Sequence, residues 1–479
     1  MGMFDLFLRL LGIGKRPADK SPPASRSGSA TSSQSPASAR PDAAVGASPE
    51  FAASSREPVR DASPQIEPDP GAPASDQTSD TQASDTQDWN PRRLSLRPLR
   101  YQSNLVPGTE AQELVSHRPY RFACPGYRAG QFRDLSRDSD QRWLDHFRLP
   151  LIRTPDELAA WLEIPIGRLA WLTHQTTLGH RAESVGKAHY AFHWIRKRSG
   201  GVRLIEAPKP ELKQVQERIL RGLLDQIPAH GAAHGFVPGR SILSNAEPHL
   251  GQRFLLKFDL RDFYATVRYA RVVAIFRSVG YSREVAIWLA RLTTSAVPWG
   301  LKSPAQSWEM TRFRSRHLPQ GAPTSPALAN LSAFGLDVRL SGLARAYELE
   351  YTRYADDLTF SGSGYLVPAL REFIPLVRKI IRSERFSVNY QKCRVIRDSQ
   401  RQTVTGVVVN EKLNVSRADY DELKAILHNA CRHGPESQNR GKHPNFSGHL
   451  RGRIAHVQQL HPARGEKLLK MYEQIHWGS

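Results

Sequence analysis

The sequence has few cysteines and no long apolar run. Its three cysteines, Cys124, Cys393 and Cys431, are odd in number and far apart, and no CxxC or Cys/His spacing indicates a zinc site. This usage excludes a disulfide-stapled secreted fold and favours a reducing, cytoplasmic setting. No apolar stretch approaches the ~20 residues that a membrane-spanning helix needs, so no membrane partner is expected.

Large apolar residues are also scarce before residue 91. The segment from Met3 to Ile13 is apolar, and is either a short amphipathic docking helix or a frayed start without a role. From there to Asn90 the chain is rich in Pro, Ala, Ser, Asp and Gln, which cannot bury enough surface to offset the entropy of ordering. Residues 1–90 therefore predict a disordered tail. Residues 91–153 contain aromatic residues without a clean period, and are expected to form an extension that could wrap the main domain.

Charge is unevenly distributed along the chain. The net charge is +21, yet residues 1–90 carry 8 Lys and Arg against 12 Asp and Glu, which leaves a net +25 on the remainder. So basic a globular region indicates a polyanionic partner, and nucleic acid is the commonest one. A soluble basic protein without such a partner is the alternative.

The patterns after residue 153 predict a mixture of helices and strands. Thr154 has the form of a helix N-cap, followed by proline at the first helical position. The stretch from Tyr190 to Ile205 is typical of two strands joined at Ser199–Gly201. Strand-like and helical patterns then alternate without an internal repeat, so the fold class is α+β.

The C-terminal part is predicted to be helical. Ser416 begins a helix that should stop at Gly434. Residues 434–452 are rich in Arg, Lys and His and are expected to form a loop, either a phosphate-contacting surface or a solvated connector. Residues 453–476 are expected to form two final helices.

Acidic residues stand beside two short strand-like segments. The apolar run Phe254–Phe258 ends in Asp259, and aromatic and β-branched residues flank Asp356 and Asp357. A buried carboxylate is costly unless it is paired, and adjacent like charges repel unless a cation holds them. The alternatives are a helix cap or ion-pair partner for Asp259, and a plain hairpin turn for the Asp pair.

Together the three carboxylates predict a metal-dependent chemistry. On neighbouring strands they can hold two Mg²⁺ ions roughly 3.5–4 Å apart, because Mg²⁺ prefers hard oxygen ligands. One ion lowers the pKa of an attacking ribose or deoxyribose hydroxyl, and the other neutralises charge on a leaving pyrophosphate. This is the arrangement that supports nucleotidyl transfer.

Three segments, in this order, resemble the signature boxes of reverse transcriptases. FDLRDFY at 258–264 resembles the first metal-binding box, LPQGAPTSP at 318–326 the loop and helix that position template and nucleotide, and YADD at 354–357 the box with paired aspartates. Each piece alone is weak, whereas the ordered set is specific. The resemblance implies a right-hand polymerase fold with fingers, a palm made of an antiparallel sheet plus helices, and a short helical thumb, preceded by the disordered tail.

The resemblance also implies roles for single residues. Asp259, Asp356 and Asp357 would be the catalytic metal ligands. Tyr264 falls at the steric-gate position, where its ring would exclude a 2′-hydroxyl and favour dNTPs; a core aromatic is the alternative. The other nucleotide-binding residues it implies are Lys197, Arg203, Gln320, Gly321 and Lys392. The basic hairpin that carries Lys197 and Arg203 supports a grip on the triphosphate, and a solvated charged hairpin is the alternative.

Further segments narrow the resemblance to bacterial retron reverse transcriptases. NAEPH at 245–249 resembles their NAxxH element, VTG at 404–406 their VTG element, and HGFVPGRSI at 234–242 is also retron-like. The RNA-binding residues implied are Asn245, Ala246, His249, Val404, Thr405 and Gly406. Fingers and palm would span residues 154–410, and the helical thumb with its RNA-contacting region residues 411–479.

The retron resemblance implies partners and a reaction. Such enzymes bind a structured non-coding RNA encoded beside their own gene, prime from the 2′-hydroxyl of a guanosine in that RNA, and copy part of it from dNTPs into branched msDNA. Many act with a separate effector protein in defence against phage. The N-terminal extension of about 150 residues departs from the shortest family members, and no function is assigned to it.

Three other interpretations stay open at this point. One is a reverse transcriptase of another bacterial type, intron-encoded or CRISPR-linked, although only about 70 residues follow Val409 to hold a maturase or endonuclease region. Another is a catalytically silent RNA-binding protein on the same fold, which the retained carboxylates disfavour. The third is a basic DNA-binding module, for which the sequence offers only the short helical pair near residues 154–174.

Overall fold

The tail predicted for residues 1–90, including its apolar start, lies outside the residues that the computed structural model describes. These are 113–126, 128–197, 200–302, 304, 307–364 and 367–477, and they fall within one compact unit that spans Asp85–Ser479. None of the helices in this described part of the chain is long and apolar enough to cross a membrane.

Residues 113–153 pack against the body of the protein. Leu144 is fully buried, the backbone N–H of Asp140 donates to the Gly280 carbonyl at 2.8 Å, and the Tyr120 hydroxyl donates to Glu284 at 3.1 Å. The elements from here to residue 246 are β1 (Glu113–Val115), β2 (Phe132–Asp134), α1 (Gln141–His146), α2 (Pro155–Trp161), α3 (Ile166–Leu172), β3 (Tyr190–Arg196), β4 (Val202–Pro208), α4 (Pro210–Gly222) and α5 (Ile242–Ala246).

The cap and hairpin predictions in this part are confirmed. The Thr154 hydroxyl accepts from the Glu157 N–H at 3.2 Å and so begins α2. Strands β3 and β4 pair antiparallel. Gly200 and Gly201, in the turn between them, have φ of 85° and 74°, a backbone conformation that glycine adopts without strain.

A four-stranded antiparallel sheet forms the centre of the molecule, with the strand order β6-β7-β5-β8. Short connections and helices link its strands. The elements of this part are β5 (Phe254–Asp259), α6 (Phe263–Thr266), α7 (Tyr269–Ser278), α8 (Arg283–Thr293), α9 (Ser307–Arg314), α10 (Ser325–Ser332), α11 (Phe334–Ala346), β6 (Glu350–Tyr354), β7 (Asp357–Gly362), α12 (Leu370–Ser383) and β8 (Arg394–Arg397).

The C-terminal part is a small hairpin followed by three helices. These elements are β9 (Thr403–Val404), β10 (Val407–Val408), α13 (Arg417–His433), α14 (Phe446–Leu460) and α15 (Pro462–Glu473). The Ser416 hydroxyl accepts from the Asp419 N–H at 3.1 Å, as expected for its cap. The prediction of a loop over 434–452 is wrong at its end. The Asn445 side chain accepts from the Gly448 N–H at 2.7 Å and starts a helix there.

Both faces of β5 are covered, which is why it has the sequence of a continuous apolar run. Phe254, Leu256 and Phe258 belong to the larger core, which includes the buried residues of α12. Leu255 belongs to a second core, formed with β9, β10 and the three C-terminal helices. Because side chains alternate across a strand, Asp259 lies on the same face as Leu255, opposite α12.

Candidate active site

The three predicted catalytic aspartates meet at one end of the central sheet. Asp259 is the last residue of β5 and lies directly opposite Asp357, the first residue of β7. Residues opposed in this way have Cβ atoms about 4.5–5.5 Å apart. Asp356 stands in the tight turn between Tyr354 and Asp357, and its carbonyl accepts from the Leu260 N–H at 2.9 Å. The pairing of two strand ends therefore gathers all three carboxylates.

The segment before α5 packs against the turn that carries Asp356. Ala355 in this turn has φ of 54°, and the N–H of His234 donates to the Arg353 carbonyl at 2.8 Å. A Cβ atom on Gly235 would come within 2.7 Å of the Ala355 nitrogen. Only glycine permits this approach, so the segment at 234–242 supports the turn from which the aspartates project.

Burial and mutual repulsion shape the charge of this cluster. Burial raises the pKa of Asp356 to about 6, and the charges of Asp357 and Asp259 add to the rise. Burial also raises the pKa of Asp357, against the opposing charge of Lys257. The cluster therefore holds more negative charge than its surroundings neutralise, which is the condition that a bound cation relieves.

Lys392 lies against the cluster. Its ammonium donates to one oxygen of Asp259 at 2.7 Å, and the Asn389 side chain donates to the other oxygen at 2.9 Å. Burial alone would lower the pKa of Lys392, but the bond to Asp259 and the charges of the other two aspartates outweigh it and raise that pKa. Lys392, which the resemblance implies as a nucleotide-binding residue, thus lies beside the carboxylates.

The residues present fit a hard divalent cation in chemistry. Three carboxylates supply the oxygen ligands that such ions prefer, and burial together with the charges of Asp357 and Asp259 raises the pKa of Asp356. As they stand, the described residues contain no group of three His, Cys, Asp or Glu side chains arranged around one ion position. Both carboxylate oxygens of Asp259 instead accept hydrogen bonds from Lys392 and Asn389.

Tyr264 lies within electrostatic reach of Asp356 and of Arg203, another expected nucleotide-binding residue. Tyr264 is partly buried, and burial together with the nearby Asp356 raises the pKa of its phenol while Arg203 opposes this rise. Arg203 is on β4, and the N–H of Lys197 closes the hairpin by donating to the Gly201 carbonyl at 3.0 Å. The structure therefore brings Tyr264 close to both Asp356 and the basic hairpin.

The loop before α10 is fixed to the same hairpin. The Gln320 carbonyl accepts from the Glu206 N–H on β4 at 2.9 Å. Gly321 has φ of 133°, and a Cβ atom there would come within 2.9 Å of the Glu206 carbonyl oxygen. A larger residue at 321 would push the loop from the hairpin, so glycine sets the distance between them.

The residues expected to bind RNA form a separate group. Asn245 donates to the Thr405 hydroxyl at 3.5 Å, which joins two segments that are 160 residues apart in sequence. The side chains of Asn245, Ala246, His249 and Val404 are buried, with exposed fractions of 0–1%. In this structure these four side chains have a supporting position, and direct contact with RNA stays a prediction for them. Thr405 and Gly406 remain at the surface.

His249 shows what that supporting position is. Its two ring nitrogens lie 2.7 Å from the Ser361 hydroxyl and 2.8 Å from the Thr352 hydroxyl. Burial lowers the pKa of His249 to about 3, so the ring is neutral. It bridges β6 and β7 beneath the turn that carries the aspartates.

A buried ion pair supports the same turn and was not predicted from the sequence. The Arg353 guanidinium donates to both oxygens of Asp337 at 2.7 and 2.6 Å, and both side chains are fully buried. Arg353 also donates to Asn330 at 2.9 Å and to the Ala355 carbonyl at 3.0 Å. The one sequence signal for this pair is an aspartate on the apolar face of a helix, next to Leu336.

Comparison with known proteins agrees with this geometry. A family model described as reverse transcriptase (RNA-dependent DNA polymerase) matches residues 195–409. The retron Mx65 reverse transcriptase of Myxococcus xanthus is 42% identical over 345 residues, which cover 71% of this chain and 75% of the relative. The retron Mx162 reverse transcriptase of the same organism is 35% identical, covering 67% and 66%. A solved telomerase from Candida albicans aligns with TM-score 0.35 and 11% identity, covering 60% of this chain and 63% of that one.

The fold and the family match define a reverse transcriptase, an enzyme that makes DNA on an RNA template. Its architecture is the α+β right-hand polymerase fold. The chain belongs to the retron reverse transcriptases. Enzymes of the reverse transcriptase family generally use divalent metal ions.

Proposed function

We propose that this enzyme binds a structured RNA encoded beside its own gene, primes DNA synthesis from a 2′-hydroxyl of that RNA, and produces branched msDNA. Its substrates are dNTPs, and the product acts with a separate effector protein in defence against phage. The observation that carries the catalytic part of the proposal is the pairing of Asp259 with Asp357 beside the turn that presents Asp356. Family membership supports the retron part.

The carboxylate cluster supplies the catalytic site of this proposal. Asp259, Asp356 and Asp357 would hold two Mg²⁺ ions, whose charge lowers the pKa of the attacking hydroxyl and offsets charge on the leaving pyrophosphate. Lys392 would leave Asp259 when that carboxylate turns to a cation, and its ammonium then faces the phosphates of the nucleotide. Lys197 and Arg203, on the basic hairpin, hold the triphosphate, while Gln320 and Gly321 position the base pair.

Magnesium should stabilise the protein more at about pH 8 than at about pH 5. The pKa of Asp356 is raised to about 6, above its ordinary value. In the metal-free protein, the ionised Asp356 carboxylate lowers the free energy of unfolding. This destabilisation therefore disappears as the pH falls through 6 toward the ordinary pKa of an aspartate. Protons and Mg²⁺ compete for the same carboxylate, so the rise in Tm caused by MgCl₂ over EDTA should shrink in this window. Differential scanning fluorimetry with MgCl₂ or EDTA at each pH measures this difference in Tm.

The control for this measurement is Asp356→Asn, which removes the titrating group. Its Tm shift with MgCl₂ should be small and nearly independent of pH. An equal magnesium shift at both pH values in the wild type would place the metal somewhere other than on Asp356.

Tyr264→Ala should weaken the preference for dNTPs over rNTPs by about 100-fold, since a ring that blocks the 2′-hydroxyl position is removed. The ring is partly buried and close to Asp356, where the sugar of a bound nucleotide would lie. Single-nucleotide incorporation with dTTP and UTP on poly(rA) primed with oligo(dT) gives the two kcat/KM values. Tyr264→Phe keeps the ring and should keep the preference. If Phe and Ala variants discriminate equally poorly, Tyr264 acts through packing and the gate is elsewhere.

RNA recognition is proposed at the exposed end of the β9–β10 hairpin. Thr405 and Gly406 form its turn with φ of 49° and 88°. A β-branched residue rarely adopts positive φ, and such strain often marks a functional position. The hydrogen bond from Asn245 to the Thr405 hydroxyl holds this turn in place. Helices α13–α15 share the second core with this hairpin, and we expect them to add further contacts to the RNA.

The proposal is tested by the nucleic acid that the protein retains. The enzyme and its Asp356→Asn, Asp357→Asn variant are purified from cells that carry the native locus, and the bound nucleic acid is sequenced. A short, discrete single-stranded DNA joined to RNA in the wild type, with RNA alone in the variant, is the expected result. The same RNA in both and no DNA would contradict the proposal. Plaque counts on cells with and without the locus test the defence part separately.

A further inference from the structure

A basic cavity beside the central sheet is not used by the chemistry above. It has a volume of about 790 Å³ and seven arginines in its lining. Arg378, Arg382 and Arg385 come from the C-terminal half of α12 and just beyond it. The other four come from residues 261–271 and from α9. Arginine at this density is typical of a surface that binds phosphate groups, because each guanidinium can make bidentate bonds to them.

The charge of this cavity is not neutralised from within. Asp262 is the single carboxylate in its described lining, and it already pairs with Arg312. The buried Nε of Arg378 has no hydrogen-bond partner among the described residues. Because this atom is itself buried, a bound phosphate would be held by the terminal nitrogens of the guanidinium.

The cavity continues along α12 into a second one. This neighbour has a volume of about 650 Å³, shares Arg378, Arg382 and Tyr390 with the first, and adds Lys379. The Tyr390 ring is 57% exposed, and the Arg378 guanidinium lies 5.1 Å from its centroid. We call the two cavities together the arginine groove. Cationic side chains that alternate with an exposed aromatic ring are a pattern that suits single-stranded nucleic acid.

The arginine groove runs along α12, and at Tyr390 it reaches the end of β5, next to Asn389, which donates to Asp259. Phe360 of β7 packs edge-to-face on Phe373 of α12 with ring centroids 5.1 Å apart, so α12 covers that face of the sheet. Asp357 and Asp259 lie on the opposite face, since side chains alternate along each strand. A template–primer duplex seated on the carboxylates therefore does not account for the part of the groove that α12 lines.

We propose that the arginine groove binds a single-stranded segment of the partner RNA through its phosphates, with a base stacked on Tyr390. This inference rests on the proposed function for the identity of the partner. The charge extends over two joined cavities along a helix, which matches a run of phosphodiesters better than the compact pyrophosphate of the reaction. The enzyme thereby holds its RNA along α12, up to the strand end that carries Asp259.

The test is a variant with Arg378→Gln, Lys379→Gln and Arg382→Gln, compared with Arg121→Gln, Arg128→Gln and Arg142→Gln as an exposed control of equal charge. The probe is a fluorescently labelled single-stranded RNA of mixed sequence, titrated at several KCl concentrations with a blunt RNA–DNA hybrid present to occupy the catalytic face. Affinity of the groove variant should fall on the order of 10- to 100-fold, and the slope of log K against log salt should decrease by about 2, while the control changes little.

Two further measurements keep the outcome clear. Arg378→Lys with Arg382→Lys keeps the charge, and should retain the wild-type salt slope. Synthesis on poly(rA) primed with oligo(dT) should keep its kcat and its KM for dTTP in the groove variant. Equal RNA affinity in the groove and control variants would overturn the inference, as would a raised KM for dTTP with RNA affinity unchanged. Loss of RNA affinity in an enzyme whose wild type makes no DNA would instead sink the proposed function and leave the groove assignment standing.

Discussion

Asp356→Asn should abolish DNA synthesis and leave the fold intact. We expect kcat on poly(rA) primed with oligo(dT) to fall by about 10³-fold, because several kcal/mol of charge stabilisation in the transition state depend on this carboxylate. Burial and the two neighbouring aspartates raise the pKa of Asp356 to about 6, so its charge destabilises the metal-free protein. A neutral amide removes that cost, and the free energy of unfolding in EDTA should stay equal or rise.

Activity and urea denaturation are therefore measured on the same preparations. The matched control is Asp398→Asn, an exposed carboxylate just beyond β8 that pairs with Arg253 at 2.7 Å. Exposed pairs contribute about 0–1 kcal/mol, so this variant should keep nearly all of its activity and stability. If Asp356→Asn retained more than about a tenth of the wild-type rate, the cluster would not be the catalytic site.

Arg353→Met should cost about 3–5 kcal/mol of stability, the usual effect of leaving one partner of a buried ion pair unpaired. Both Arg353 and Asp337 are fully buried, and Arg353 also holds Asn330 and the Ala355 carbonyl. The loss should appear in the midpoint of urea denaturation. Because the Ala355 carbonyl belongs to the turn that presents Asp356, the folded fraction should also lose activity.

Two further variants separate the pair from its surroundings. Arg353→Met combined with Asp337→Leu removes both charges, and should lose less stability than either change alone. Arg339→Met breaks a pair with Glu384 at 2.8 Å on the surface of the same helix, and should cost about 0–1 kcal/mol. If the double variant lost the full sum of the two single changes, Arg353 and Asp337 would act independently of each other.

The sequence predicted the parts of this site that depend on neighbours in the chain. The tight turn at Asp356, the hairpin at Gly200–Gly201 and the caps at Thr154 and Ser416 all rest on local preferences, which a short stretch of sequence carries. The apolar run before Asp259 indicated a strand, and in the structure the two cores cover both faces of that strand. The order of the three signature boxes then specified which strands belong together.

Contacts between distant segments were beyond such reasoning. Asp337 and Arg353 are far enough apart in sequence that neither pattern reveals the other. An arginine in a strand is usually exposed, so its burial was not expected. The bond from Lys392 to Asp259 depends on how the segment after α12 returns to β5, which no local preference determines. Asn245 and Thr405 meet for the same reason, through tertiary packing alone.

Composition misled the prediction in one place. Residues 434–452 are polar and basic, and so were expected to form a loop, yet Asn445 caps a helix that begins at Phe446. Leu450 and Ile454 then face the second core at helical spacing. A cap residue followed by apolar residues at this spacing predicts a helix. The many charged residues around it favoured a loop instead.

The most direct measurement of the central claim is synthesis that the enzyme primes on its own RNA. Protein free of nucleic acid is mixed with RNA transcribed from the sequence that adjoins its gene, with labelled dNTPs and MgCl₂ and without any added primer. The account predicts label joined covalently to the RNA in the wild type and none in Asp259→Asn, with ribonuclease leaving DNA that still carries a short RNA remnant. Labelling that needs an added DNA primer, or that persists in Asp259→Asn, would contradict the account.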